Sequence, residues 1–441
     1  RNYVLLIASI IFYAWGEPRY LAIMIITILV NYAGAILLDK HYSSRQRLWI
    51  VSLTIVLDLS FLFYFKYFNF VVDNINGVLA TDFQLLDIIM PIGISFYTFQ
   101  AMSYLIDVYR REVPAQKDVY KLALYIVLFP QLVAGPIVKY HDVCEQIDNR
   151  TIEFKNVIIG FKRFITGLAK KVLIANTLAE VVDKIFAQAP ENLTTGVSWL
   201  GAVAYCLQLY YDFSGYSDMA IGLGLMFGFR FLENFNYPYI SKSITEFWRR
   251  WHISLATWFK LYLYIPLGGN RKGAVRTYWN LFAVFLVTGI WHGAAWSYVA
   301  WGIWNGIFIV IERFFGLDKD KNDRWYVSAA KHVYAFFAIV WGMIIFRAES
   351  LSYAYEYICR MLHIDVTKHL PDYDYGVNNK FAIMLIVGLI CAMPVCRNLI
   401  YIKYEHKVQR TLVNIWLFLL FFWSTISLAA STYNPFIYFR F

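Results

Sequence analysis

The sequence predicts an all-α, polytopic membrane protein. Hydrophobic residues make up 59% of the 441, against ~45–50% in soluble domains. Charged residues make up only 16%, against a usual ~25%. Apolar stretches of spanning length recur from one end of the chain to the other. Together these point to roughly ten transmembrane helices, some of them re-entrant or interfacial.

The stretches run in order: Tyr3 to Trp15, Tyr20 to Leu38, Trp49 to Phe65, Lys331 to Phe346, Phe381 to Val395 and Leu412 to Leu428. Aromatic residues such as Trp15, Tyr20, Trp49, Tyr67, Tyr278, Trp296 and Tyr298 flank candidate spans. An indole or phenol is satisfied at headgroup level, where its ring is in apolar surroundings and its tip is wet. Arg1-Asn2 leads straight into an apolar stretch with no initiator Met, so a first transmembrane helix upstream is expected.

The net charge of +10 does not read as nucleic-acid binding. The basic residues lie in short runs beside apolar spans, as the positive-inside bias requires, and form no continuous basic stripe. The basic 401–410 loop is expected on the cytoplasmic side and the acidic 363–380 loop outside. The five cysteines are odd in number and form no CxxC pair, which excludes a disulfide framework and a zinc site. No third ligand stands at metal-binding spacing from His252 and His292.

No repeat or soluble domain is visible, so residues 1–441 read as one integral membrane domain. The chemistry is expected in a core at 196–316. This region is apolar yet carries Asp212, Asp218, Arg230, Glu233, Glu246, Arg249, Arg250, His252, Lys260 and His292. Ionisable groups at membrane depth are costly and mark pathways or cavities.

Ser243-Ile-Thr-Glu246 has the form of a capping box, with Ser243 accepting the N3 amide and Glu246 reaching back. A helix is therefore expected to start there and run through His252. Further on, Gly289-Ile-Trp-His-Gly-Ala-Ala-Trp296 places a histidine inside an apolar span between glycines that admit close approach of backbone or substrate. Trp291 and Trp296 are expected to keep His292 dry. A neutral imidazole there can take a proton near neutral pH; the alternative is a histidine hydrogen-bonded across helices for structure. Asp212 and Asp218 are open in the same way: they orient a histidine or line a polar passage, or they pair with Arg for structure. Arg271, Lys272 and Arg276 form a basic glycine turn that either binds phosphate on a donor or is an ordinary positive-inside loop.

The run Asn236-Tyr-Pro-Tyr-Ile-Ser-Lys-Ser-Ile-Thr-Glu-Phe-Trp-Arg-Arg-Trp-His-Ile-Ser-Leu255 resembles the membrane-bound O-acyltransferase family, in the branch of alginate and peptidoglycan O-acetyltransferases. The teichoic acid D-alanyltransferase branch is nearby. Gly93 to Gln100, Phe129 to Pro136, Asp212 to Asp218 and Trp291-His-Gly293 match in the same order. The resemblance implies a ring of helices around a central tunnel, with the catalytic histidine at His292 and a second at His252. It implies a multi-pass cell-membrane enzyme that moves an acetyl group from acetyl-CoA, a cosubstrate and not a bound cofactor, to a cell-wall or extracellular polysaccharide. An outer-face, esterase-like acetyltransferase would be its partner. The tail 433–441, with Pro435-Phe-Ile-Tyr-Phe-Arg-Phe441, resembles the end of a helper peptide of D-alanylation, and Tyr438 is expected as an acyl relay because a phenol can carry an ester. D-alanyl transfer and a non-enzymatic transporter, flippase or scaffold remain as alternatives.

Overall fold

The computed structural model describes residues 1–40, 43–133, 135–317, 323–363, 373–396 and 407–431. Among them the secondary structure is helical throughout, without a strand. Four helices are long and apolar enough to cross a membrane: Pro18–Asp39, Ser44–Leu79, Trp325–Arg347 and Val408–Ala430. Asn2–Gly16 and Asn379–Cys391 are shorter apolar helices. All six apolar stretches read from the sequence are therefore helices. The third is longer than expected, because a π-turn at Phe63–Tyr67 carries it on into Phe68–Leu79. Tyr438 and most of the two loops used to orient the chain, 364–372 and 397–406, lie outside the described residues.

The chain divides into two compact units. The first is Arg1–Gly160 with Leu223–Leu232. Here Leu21–Asp39 packs on both Ser44–Leu62 and Ile94–Tyr109. Buried polar groups bridge these helices. Asn31 donates to both carboxylate oxygens of Asp58 at 2.9 and 3.0 Å. Arg47 is buried as well. Its guanidinium donates to the carbonyls of Leu38 and Tyr109, the latter at 2.8 Å. It thus sits at the C-terminal ends of two helices, where orphan carbonyls and the helix dipole favour a cation.

The second unit is Phe161–Gly222 with Glu233–Phe441, and it holds the ionisable residues of the candidate site. Its core is aromatic. Tyr357 stacks on Phe186 at 4.7 Å, and the Tyr211 hydroxyl donates to the Gly388 carbonyl at 2.6 Å. Two backbone crossings set its framework. A Cβ on Gly167 would lie 2.5 Å from the Gly215 carbonyl oxygen, and one on Gly215 would lie 2.7 Å from that of Gly167. Likewise, a Cβ on Gly302 would meet the Phe285 carbonyl at 2.6 Å and Gly289 Cα at 3.1 Å. Both crossings exclude any larger residue, since contacts under 3 Å force backbone apart. Of the two glycines foreseen around His292, Gly289 serves close approach of backbone, while Gly293 makes room for the ring of Tyr298.

Candidate active site

His292 is the last residue of the helix Ala274–His292. The chain turns through extended Gly293 and starts the next helix, Trp296–Phe315. The two helices pack along their length, and the Gly289–Gly302 crossing brings the second helix across the end of the first. That crossing delivers Trp301 to the imidazole. The His292 ring is buried and lies 5.0 Å from Trp291, 5.0 Å from Trp301 and 5.2 Å from Phe346, all near-perpendicular.

Trp291 is 4% exposed and stands between the two histidines, 5.0 Å from His292 and 6.4 Å from His252 by ring centres. Trp296, expected beside it as a seal, is 56% exposed. It is the first residue of its helix, and more than half of its surface is turned away from protein. The inward positions are taken by Trp301 and Phe346, which are one turn or a whole helix away from the motif that drew attention to His292.

His252 departs from the expected geometry. The helix that begins at Ile244 ends at Arg250, and Trp251 is extended. His252 adopts the left-handed conformation at φ +44° and precedes a new helix, Ile253–Phe259. It is therefore a junction residue and does not sit on an early turn of a continuous helix. The cause is Asn234. Its backbone carbonyl accepts from Ile253 N at 2.9 Å, and its side-chain oxygen accepts from Ser254 N at 3.2 Å and from Ser254 Oγ at 2.9 Å. Nearby, Asn236 N donates to the Arg250 carbonyl at 2.9 Å. The 234–236 strand of backbone thus captures the groups that a continuous helix would have used. Histidine is among the residues that tolerate this conformation. The His252 ring is fully buried, 4.6 Å from Phe213 in an edge-to-face contact, with Nδ1 3.2 Å from Asn234 Oδ1.

The capping motif is half as expected. Ser243 Oγ accepts from Glu246 N at 3.0 Å. Glu246, however, takes the amide of Lys242 at 2.9 Å, one residue earlier than a capping box requires, and its other oxygen pairs with Arg250 at 2.8 Å. The remaining amides are satisfied from another helix. The fully buried Glu312 accepts from Ile244 N at 2.5 Å, Thr245 N at 2.8 Å and the Tyr334 hydroxyl at 3.0 Å. A carboxylate there complements the positive end of the helix. Trp248 completes the attachment by donating to Asn305 Oδ1 at 3.0 Å, with its ring 5.5 Å from Trp301. The short helix Ile244–Arg250 is thus fixed to the helix that supplies Trp301 of the His292 cage.

Asp212 and Asp218 follow the ion-pair reading. Lys171 lies 2.5 Å from Asp212 Oδ1. Arg163 and Lys170 hold Asp218 at 2.8 and 2.6 Å, and Arg163 also holds Glu233 at 2.5 Å. The Gly167–Gly215 crossing brings these groups together, since it sets Lys170 and Lys171 against the helix bearing both aspartates. Arg271, Lys272 and Arg276 are exposed at the opposite end of the His292 helix. At ~1.5 Å of rise per residue, that helix separates Arg276 from His292 by roughly 24 Å, with Arg271 and Lys272 preceding its first turn.

Sequence reasoning named both histidines but missed Asn234, Phe213, Trp301, Glu312 and Phe346. Asn234 carried a usable signal: a buried amide two residues ahead of the Asn236-Tyr-Pro-Tyr run. The other four reach the site only through helix packing.

Across residues 116–351 the chain matches the model of MBOAT, the membrane-bound O-acyltransferase family. This chain belongs to that family. It is 42% identical to a protein named probable alginate O-acetylase AlgI from Pseudomonas putida, over 100% of this chain and 94% of that one. It is 33% identical to the peptidoglycan O-acetyltransferase of Helicobacter pylori, over 91% and 82%. Similarity to the teichoic acid D-alanyltransferase of Bacillus subtilis is 28% over 60% and 70%. As an acyltransferase of this family the chain is a multi-pass membrane enzyme, which sets aside the transporter and scaffold readings.

Proposed function

We propose that this membrane O-acetyltransferase acetylates hydroxyls of an extracellular or cell-wall polysaccharide, drawing the acetyl group from cytosolic acetyl-CoA, with His292 as general base. The observation that carries the reading is the buried pair of imidazoles spaced by Trp291. The acetylase names of the full-length relatives favour acetyl over D-alanyl as the group transferred and a polysaccharide as the acceptor.

In this mechanism the thioester arrives from the cytoplasmic side and a hydroxyl from the outer side of a passage through the helices. The His292 imidazole takes the hydroxyl proton as the oxygen bonds to the thioester carbonyl carbon. The tetrahedral intermediate collapses, the carbon–sulfur bond breaks, and the leaving thiolate takes the proton back. Aromatic walls exclude the water that would otherwise hydrolyse the thioester. Arg271, Lys272 and Arg276 are suited to the phosphates at the far end of the donor, which an extended carrier arm would separate from the reacting carbonyl. Tyr438 would act as a relay that carries the acetyl group to an esterase-like partner on the outer face.

The test is thiol release by the full chain in membranes, with acetyl-CoA and a D-alanyl thioester offered separately. The reading expects release from acetyl-CoA that depends on His292. Release from the D-alanyl donor alone, or release unchanged in His292→Ala, would overturn it.

A further inference from the structure

We infer that Asn234 fixes the tautomer of His252 and is thereby a positioning residue for acyl transfer. The inference rests on the reading of this site as the acyl-transfer centre, but the tautomer itself does not.

The argument starts from a donor whose role is fixed. A backbone N–H can only donate, so the Asn234 side-chain atom 3.2 Å from Ser254 N is the amide oxygen. The amide nitrogen then faces Ser217 Oγ, to which it donates at 3.0 Å. The orientation of the amide is set from both ends, and Asn234 is 1% exposed, which leaves it no room to flip. The same oxygen lies 3.2 Å from His252 Nδ1. An amide oxygen carries no hydrogen, so the bond exists only when Nδ1 carries the proton. Ser254 Oγ also lies 3.4 Å from Nδ1, but its hydrogen is given to the Asn234 amide oxygen at 2.9 Å, so the neutral ring is the Nδ1–H tautomer, and Nε2 holds the lone pair.

This assigns the chemistry of the second histidine. In the neutral state His252 Nε2 can only accept a hydrogen bond, so it does not donate to a developing oxyanion. Oxyanion stabilisation falls to donor-only groups such as an indole N–H. The left-handed junction at His252 serves the same end, because it turns the ring's Nδ1 edge onto the Asn234 amide while Phe213 packs against the ring.

Two readouts test this. First, the full chain labelled with ¹⁵N-histidine is examined by solid-state NMR in lipid, with His252→Gln used to assign the resonance. The expected signature is Nδ1–H, lost or mixed in Asn234→Ala. A pure Nε2–H signature in the unaltered protein overturns the inference, whatever the activity. Second, thiol release from acetyl-CoA is measured. Asn234→Ala should lower kcat at least about tenfold, with KM within about twofold. Asn234→Asp keeps an oxygen for Nδ1–H and for Ser254 N–H, and Ser217 can turn its hydroxyl to donate. It should recover kcat to within about threefold, with the acid limb of the pH–rate profile moved upward as the carboxylate favours imidazolium. Unchanged kcat in Asn234→Ala, or an Asn234→Asp variant as impaired as Asn234→Ala, overturns it. Absence of thiol release in the unaltered protein defeats the acetyl-CoA reading and leaves the NMR result to decide the tautomer.

Discussion

Two groups of ionisable residues lie in the second unit, and their surroundings differ. Asp212, Asp218 and Glu233 are met by Lys171, Lys170 and Arg163 at 2.5–2.8 Å, each acid facing a cation. His252 and His292 are met by Asn234, Phe213, Trp291, Trp301 and Phe346, all of them neutral. Both groups are costly at membrane depth. The first offsets its cost by charge pairing, which holds the helices together but commits the charges. The second packs against uncharged side chains, and in the proposed mechanism it is the group whose protonation changes. Ionisable residues in an apolar chain thus divide into those that are held and those that are kept available, and the partner's charge tells them apart.

The sharpest way to break this comparison is to remove one member from each group. His292→Ala should lower turnover by ~10²–10⁴-fold while the yield of folded protein in detergent stays near normal. A comparable loss of folded protein would place His292 with the structural group. Arg163→Ala should do the reverse. It takes a shared cation from Asp218, which keeps Lys170, and from the half-exposed Glu233, and should destabilise the fold by ~1–3 kcal/mol, read as a lower thermal midpoint, while turnover per folded molecule is retained.

Glu312→Gln sharpens the account of how the site is held. The amide keeps one acceptor for two backbone donors and loses the charge that complements the helix end, at a cost of ~1–3 kcal/mol. Because Glu312 anchors the helix leading to His252, turnover should fall with stability, and a variant at normal stability with normal turnover would remove it from the account. The smallest effect is expected at the basic turn. Neutralising Arg271 and Lys272 together should raise KM for acetyl-CoA several-fold with kcat unchanged, the signature of lost uniform binding. A change in kcat alone would rule out a remote contact with the donor.

Much of this was legible from residues alone. The six apolar stretches announced their helices because hydropathy over about 20 residues is a strong signal. His292 and His252 stood out because imidazoles are rare inside apolar runs. What could not be read is what depends on packing between distant segments. Glu312 looks like an ordinary end-of-helix charge until its helix is placed against Ile244 and Thr245. Arg47 shows its role only when two helix ends are set beside it. The break at His252 was hidden because the capping motif at Ser243 predicts where a helix starts and says nothing about where a neighbouring asparagine will stop it. Trp296 and Trp301 are indistinguishable by type; only the crossing at Gly289 and Gly302 decides which one meets the imidazole.

The most direct test of the central claim uses sealed, oriented vesicles containing the full chain, with acetyl-CoA enclosed on the cytoplasmic side and a hydroxyl-bearing polysaccharide, together with its outer-face partner, on the other. The account predicts acetyl ester on the outer polysaccharide in step with thiol released inside, and neither in His292→Ala. Ester formed only when donor and acceptor share one compartment, or formed equally well by His292→Ala, would contradict it.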